Sequence, residues 1–118
     1  MKLIFVEDNI IAAEALKSFL KNRYGNLRCA SSAEDALKMF IDLPADVVVS
    51  DIVLPQMSGF ELLEKIKAIR PATSVILISA HSGIENIAKA EKLGACKFLP
   101  KPLDLDLLEK TINEAIQK

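Results

Sequence analysis

Tryptophan is absent, aromatic residues make up only 5% of the chain, and histidine occurs once. A platform that stacks nucleic-acid bases needs several aromatic side chains, so this composition argues against one. Lysine and arginine number 15 against 16 aspartate and glutamate, leaving a net charge of −1 and no basic field to hold a phosphate backbone. Long apolar runs are missing too. The stretch from Asp46 to Pro55 is broken by Ser50 and Asp51, and none approaches the ~20 residues that cross a bilayer. Lys2 followed by Leu3 to Val6 starts like a secretory signal, but Glu7 and Asp8 interrupt it. The two cysteines, Cys29 and Cys96, have neither metal-ligand spacing nor Cys-rich neighbours. They read as small buried hydrophobes in a reducing compartment rather than as a disulfide. The expectation is a soluble cytoplasmic domain with no direct hold on nucleic acid or membrane.

What is present is an ordinary globular composition: 118 residues, 51% hydrophobic and 26% charged. That suits one compact domain over residues 1–118, with a core large enough to need no staples. Apolar runs alternate with helical periods along the whole chain. Leu3 to Val6 predicts a strand covered on both faces, followed by a helix carrying Ala12, Ala15, Leu16, Phe19 and Leu20. Leu27 to Ala30 predicts a second strand after the turn residues Gly25 and Asn26. Ser31-x-x-Glu34 then has the form of a capping box for a helix with Ala33, Ala36, Leu37, Phe40 and Ile41. Asp46 to Ser50, β-branched and apolar on both faces, predicts a central strand. Ser58-x-x-Glu61 opens a third helix that Pro71 ends, Val75 to Ile78 forms a fourth strand, and Ser82-x-x-Glu85 caps a fourth helix closed by Gly94. Cys96 to Leu99 is the fifth strand, and Asp104 caps a last helix with Leu105, Leu108, Ile112 and Ala115 on one face.

Five βα units in strict alternation predict an α/β doubly wound parallel sheet with helices on both faces. All strands of such a sheet end on one edge, where ligands bind. Glu7 and Asp8 follow the first strand, Asp51 the third, Ser79 ends the fourth, and Lys101 follows the fifth within Pro100-Lys101-Pro102. Each has an ordinary explanation alone: Asp8 or Asn9 as a helix cap, Asp51 as a turn former, Ser79 as a satisfied hydroxyl, Lys101 as a solvated charge. Together they do not. Like carboxylates ~5 Å apart at an effective dielectric of ~20 repel by on the order of 3 kcal/mol per pair. A hard divalent cation such as Mg²⁺ removes that cost, while lysine and hydroxyl suit a phosphoryl group and an aspartate can be its nucleophile.

Phe5-Val6-Glu7-Asp8-Asn9, Asp51-Ile52-Val53-Leu54-Pro55 with Gly59, Ser79-Ala80, and Phe98-Leu99-Pro100-Lys101-Pro102 resemble the four motifs of the receiver domain of two-component response regulators. The resemblance runs the full chain and implies the flavodoxin-like strand order 2-1-3-4-5. It implies Asp51 as phosphoacceptor, and Asp8, Asp51 and the Val53 backbone carbonyl as direct Mg²⁺ ligands, with Glu7 acting through water. It implies Lys101 on the phosphoryl group, Ser79 moving to hydrogen-bond it, and Phe98 as the aromatic switch that turns inward as Ser79 moves. Read as a residue alone, Phe98 is an ordinary core aromatic. The Lys101–Pro102 bond is typically cis in the family. The implied partners are a sensor histidine kinase as donor and a downstream effector domain or target, with a phosphorylation-dependent dimer among the forms.

Two positions bear on phosphoryl lifetime. Val53, two residues after Asp51, stands where other receivers carry polar residues, and valine cannot orient an attacking water. His81, two residues after Ser79, occupies the other rate-tuning position and reads first as a solvated loop histidine. The stretch Ser79-Ala80-His81-Ser82, with Gly94-Ala95 and Phe98 to Asp104, is most similar to receivers of sigma-54-dependent transcription activators, against a stand-alone receiver acting by protein contact. Two other classes share parts of the pattern. An FMN-binding flavodoxin-like carrier needs a phosphate-cradling loop after the first strand, where this chain has Glu7-Asp8. A haloacid-dehalogenase-type phosphatase needs a second aspartate two positions after the nucleophile, where it has Val53.

Overall fold

The computed structural model describes residues 1–80 and 83–117. Within them the chain alternates β1 (Lys2–Val6), α1 (Ile10–Lys21), β2 (Asn26–Ala30), α2 (Ala33–Asp42), β3 (Val47–Asp51), α3 (Gly59–Ile69), β4 (Ser74–Ser79), α4 (Ile84–Lys92), β5 (Lys97–Pro100) and α5 (Leu105–Ile116). The strands form one parallel sheet in the order β2-β1-β3-β4-β5, as the resemblance implies.

Strand periodicity splits the core in two. Ile4, Val6, Val48, Val75 and Leu77 point to the face covered by α2, α3 and α4, where Ala36, Phe40, Leu62, Leu63, Ile66 and Ala90 meet them. Leu3, Phe5, Val47, Val49, Ile76 and Ile78 point the other way, against Leu20 of α1 and Leu108, Ile112 and Ala115 of α5. Alternation with period two therefore fills both layers from the same continuous apolar runs. Burying each such Leu, Ile or Phe side chain stabilises by about 1.5–3 kcal/mol. On the α1/α5 face, Tyr24 donates its hydroxyl to Asn113 Oδ1 at 2.8 Å, and Arg23 Nε pairs with Glu109 at 2.8 Å. These contacts tie the α1–β2 turn to α5.

Several boundaries differ from the sequence reading. Asp46 lies outside β3: its carboxylate accepts the Lys2 backbone N–H at 2.8 Å, and the strand runs instead to Asp51. The α2 cap is Ser32, whose hydroxyl accepts from Asp35 N–H, and not Ser31. Two adjacent serines offer the same chemistry, and helical phase decides between them, because Ala33, Ala36 and Phe40 must face the sheet. The α4 cap is Gly83, which offers no side-chain bond, and not Ser82, because the helix begins at Ile84. Ser82 itself lies outside the described residues, as does His81. The Ser58 and Asp104 caps are as read, each accepting from the N–H three residues on. Gly94 closes α4 at φ +96°, a left-handed value that costs glycine nothing. Cys29 and Cys96 are only half-buried, where the sequence reading had them buried, and no disulfide joins them. They lie at the outer strands β2 and β5, which have a neighbour on one side only.

Candidate functional site

Strand register brings the acidic and basic residues to one level. Val6 pairs with Ser50, so Glu7, just past β1, and Asp51, the last residue of β3, come side by side. Asp51 pairs with Ile78, and Ser79 pairs with Pro100, so Ser79 and Lys101 come in from the other side. The Lys101 backbone N–H donates to the Ser79 carbonyl at 3.0 Å, which holds the start of the β5–α5 loop against β4. The peptide bond that follows, Lys101–Pro102, is cis.

Lys101 Nζ lies 2.5 Å from Asp51 Oδ2 and 3.6 Å from Glu7 Oε1. The other Asp51 oxygen, Oδ1, accepts the backbone N–H of Val53 at 3.2 Å. Both carboxylate oxygens of Asp51 are thus held, and the residue is only 8% exposed. Glu7 is 6% exposed, and its Oε2 accepts the Asn9 N–H at 3.1 Å. Burial pushes the Glu7 carboxyl above its ordinary range, and the neighbouring charge of Asp51 and contact with Asp8 add to this. The Asn9 N–H and Lys101 pull it back only in part. Burial alone would lower the Lys101 ammonium, but its hydrogen bond and charge pairing with Asp51, aided by Glu7, leave it raised and firmly protonated.

The structure settles which residue caps α1. Asn9 Oδ1 accepts the Ala12 N–H at 3.0 Å, which leaves the exposed Asp8 side chain available at the cleft. A cleft of about 320 Å³ opens here, lined by Glu7, Asp8, Asn9, Asp51, Val53, Ser79, Ala80 and Lys101. Every residue that the sequence placed on this edge and that is described therefore lines one cavity. Beside it, between α1 and the β5–α5 loop, a second and mostly apolar cavity of about 340 Å³ is bordered by Ala12, Ala15, Leu16 and Leu103. Val53 projects outward, 60% exposed. Phe98 does not line the cleft; it is half-buried against the α2/α3/α4 core and borders a groove with Ile87 and Ala90 of α4.

The cleft suits a hard cation. One lysine faces the three carboxylates Glu7, Asp8 and Asp51 that line the cleft. Among the described residues, no three Asp, Glu, His or Cys side chains form a ready-made metal cage. The carboxylates of Asp8 and Asp51 at the cleft are of the kind Mg²⁺ takes, one or two at a time with several waters kept.

Sequence reasoning left two contributors unassigned. Gly59, the first residue of α3, packs so closely on the Asp51 carbonyl that a Cβ there would overlap it and come within 2.9 Å of Ile52 Cα. Ser50, fully buried, donates its hydroxyl to that same carbonyl at 2.9 Å. A lone serine ending an otherwise apolar strand was the available signal.

Among the described residues, no helix is long and apolar enough to cross a membrane. Known proteins share both the fold and the sequence. A response regulator receiver domain protein from Clostridium thermocellum superposes with a TM-score of 0.92 at 31% identity, covering 98% of this chain and 94% of that one. The signal receiver domain of an HD domain-containing protein from Pseudomonas fluorescens matches at 0.92 and 29%, covering 98% and 94%. Transcriptional regulatory protein ZraR of Escherichia coli is 33% identical over 97% of this chain and 26% of its own length. A cyclic di-GMP phosphodiesterase of Thermotoga maritima is 35% identical over 99% of this chain and 31% of its own. The chain spans about a quarter to a third of the length of these last two relatives. Residues 3–113 match the response regulator receiver domain family, and the chain belongs to it.

Proposed function

We propose that this receiver is a phosphorylation switch in which Asp51 accepts a phosphoryl group from the phosphohistidine of a sensor kinase. The observation that carries the reading is the Asp51–Lys101 pair at the end of the central strand, 2.5 Å apart and flanked by Glu7. A carboxylate oxygen of Asp51 attacks phosphorus, the P–N bond to the donor imidazole breaks, and the imidazole leaves with the bonding pair and takes up a proton. The Val53 N–H on Oδ1 and Lys101 on Oδ2 orient the nucleophile before the donor arrives. Lys101, held protonated by its neighbours, then follows the transferred oxygens and balances their charge.

Asp8, Asp51 and the Val53 carbonyl would hold Mg²⁺, with Glu7 acting through water. When bound, the ion neutralises charge on the phosphoryl oxygens. Ser79, buried and level with Lys101 at the cleft, would supply a hydroxyl to the phosphoryl group. Phe98, on the strand that leads to Lys101, would turn inward as Ser79 moves and pass the change to the α4–β5 surface. Val53 cannot aim a water at phosphorus, which favours a long-lived phosphoryl state. His81, proposed as the second rate-tuning residue, lies outside the described residues.

A macromolecular donor is supported by Ile10 and Ile11, 78% and 83% exposed at the start of α1 beside the cleft. Control of transcription through an effector domain or target is the favoured output, supported by ZraR and by the regulatory protein AtoC, which is 30% identical over 98% of this chain. The domain acts in the cytoplasm as a phosphoacceptor rather than a turnover enzyme, without touching nucleic acid itself, and a phosphorylated dimer is among its forms. Incubation with acetyl phosphate and Mg²⁺ should add one phosphoryl group, detected by intact mass, and Asp51→Asn should abolish it. Undiminished labelling of that variant would move the acceptor elsewhere.

A further inference from the structure

We propose that Ser50 is a positioning residue for this site, acting through the Asp51 carbonyl to hold Val53 in place. The proposal rests on the phosphoacceptor reading above. Ser50 is fully buried, and its register partners on either side, Val6 and Leu77, are apolar and buried too. A hydroxyl in that setting must find its partner nearby, because water cannot reach it. It donates to the carbonyl of the next residue, Asp51, at 2.9 Å.

That carbonyl sits where the sheet stops providing partners. The Asp51–Ile52 peptide sends its N–H to the Ile78 carbonyl of β4 at 3.0 Å. In a trans peptide the C=O points the opposite way, toward β1. The β1–β3 ladder has its last pair at Val6 and Ser50, one residue short. The Ser50 hydroxyl supplies a donor just beyond that pair. Gly59 completes the clamp: its missing Cβ lets α3 rest against the same carbonyl, and its N–H donates to the Ile52 carbonyl at 2.8 Å. Two successive peptides are thus fixed immediately before Val53, whose N–H orients Asp51 Oδ1 at 3.2 Å and whose carbonyl is the proposed metal ligand. Rotation of the Asp51–Ile52 peptide would displace both groups at once. An apolar residue at position 50 would fill the same core space but leave that rotation unopposed.

The test compares Ser50→Ala with Ser50→Thr, which restores the hydroxyl. In Ser50→Ala, the Mg²⁺ dissociation constant should rise about tenfold, as for other groups that support a metal ligand, and labelling by acetyl phosphate should slow. Amide hydrogen exchange in metal-free protein should quicken at Ile52 and Val53 but not at Val48 or Leu77. Ser50→Thr should return all three readouts toward wild type. If Ser50→Ala leaves Val53 exchange and Mg²⁺ affinity unchanged, the proposal is wrong. It is equally overturned if exchange quickens throughout the core and threonine does not rescue it, because the hydroxyl then serves global stability alone. Should wild-type protein take no label, the phosphoacceptor reading fails, while the metal-free exchange data still decide whether Ser50 positions Val53.

Discussion

Lys101 and Asp51, 50 residues apart in the chain, meet at 2.5 Å across the ends of β5 and β3, with β4 between them. Because Glu7 is 3.6 Å from the same ammonium, one cation serves two buried carboxylates. Replacing it with an apolar residue of similar length, Lys101→Met, leaves that pair uncompensated. Lys101 is about a third exposed, so solvent softens the loss to about 1–2 kcal/mol at pH 7 without Mg²⁺. The loss should shrink as pH falls and Glu7, whose carboxyl is raised, takes up its proton. Urea melts at pH 7 and pH 5 measure it, and an equal loss at both pH values would contradict the shared-cation arrangement.

Glu7 carries the opposite sign from an ordinary salt-bridged acid. Its carboxyl titrates above the usual 4.5 because burial disfavours the anion, so the folded chain binds its proton more tightly than the unfolded chain does. Its ionisation therefore destabilises the fold at neutral pH, and the cost disappears as pH falls through the raised value. Glu7→Gln should be more stable than wild type at pH 7 in chelator, with the gap closing below pH ~4.5. Mg²⁺ should stabilise wild type more than the variant. A Glu7→Gln variant that melts below wild type at pH 7 would show the carboxylate to be a net stabilising contact.

Gly59→Ala would press a methyl carbon against the Asp51 carbonyl, which is backbone and cannot rotate aside. Overpacking of this kind costs about 1–3 kcal/mol. Gly25→Ala, with open space around the new carbon, should cost far less. Thermal melts compare the two. The Gly59 variant should also lose Mg²⁺ response, because the displaced Asp51–Ile52 peptide leads directly into Val53.

Cys29 and Cys96 stand at opposite margins of the sheet, separated by four strand spacings or about 19 Å. A disulfide needs Cα atoms within about 7 Å. Both thiols should titrate as free in denatured protein without reductant. Burial pushes the Cys29 thiol up, so in the native state it should react slowly at pH 8 and faster after unfolding. An intramolecular bridge would contradict the topology.

Alternating apolar runs and helical periods were enough to read five βα units, two covered faces and the gathering of Glu7, Asp8, Asp51, Ser79 and Lys101 on one edge. Those inferences need only local periodicity and the rule that parallel strands end together. The caps show where local information stops. Ser31 and Ser32 are chemically equivalent, and only the docking of Ala33, Ala36 and Phe40 on the sheet set the helical phase that selected Ser32. The choice between Asp8 and Asn9 at α1 was likewise open until the cap geometry assigned it to Asn9. Which carboxylate takes Lys101 most closely, which one is left raised, and what occupies the Asp51 carbonyl depend on distances between strand ends far apart in the chain. Residue types decided that an acidic, lysine-bearing site would form at the strand ends. Three-dimensional packing decided that Asp51 holds the lysine, that Glu7 bears the desolvation, and that Ser50 and Gly59 close on the peptide between them, because desolvation and hydrogen bonding act through space and not along sequence.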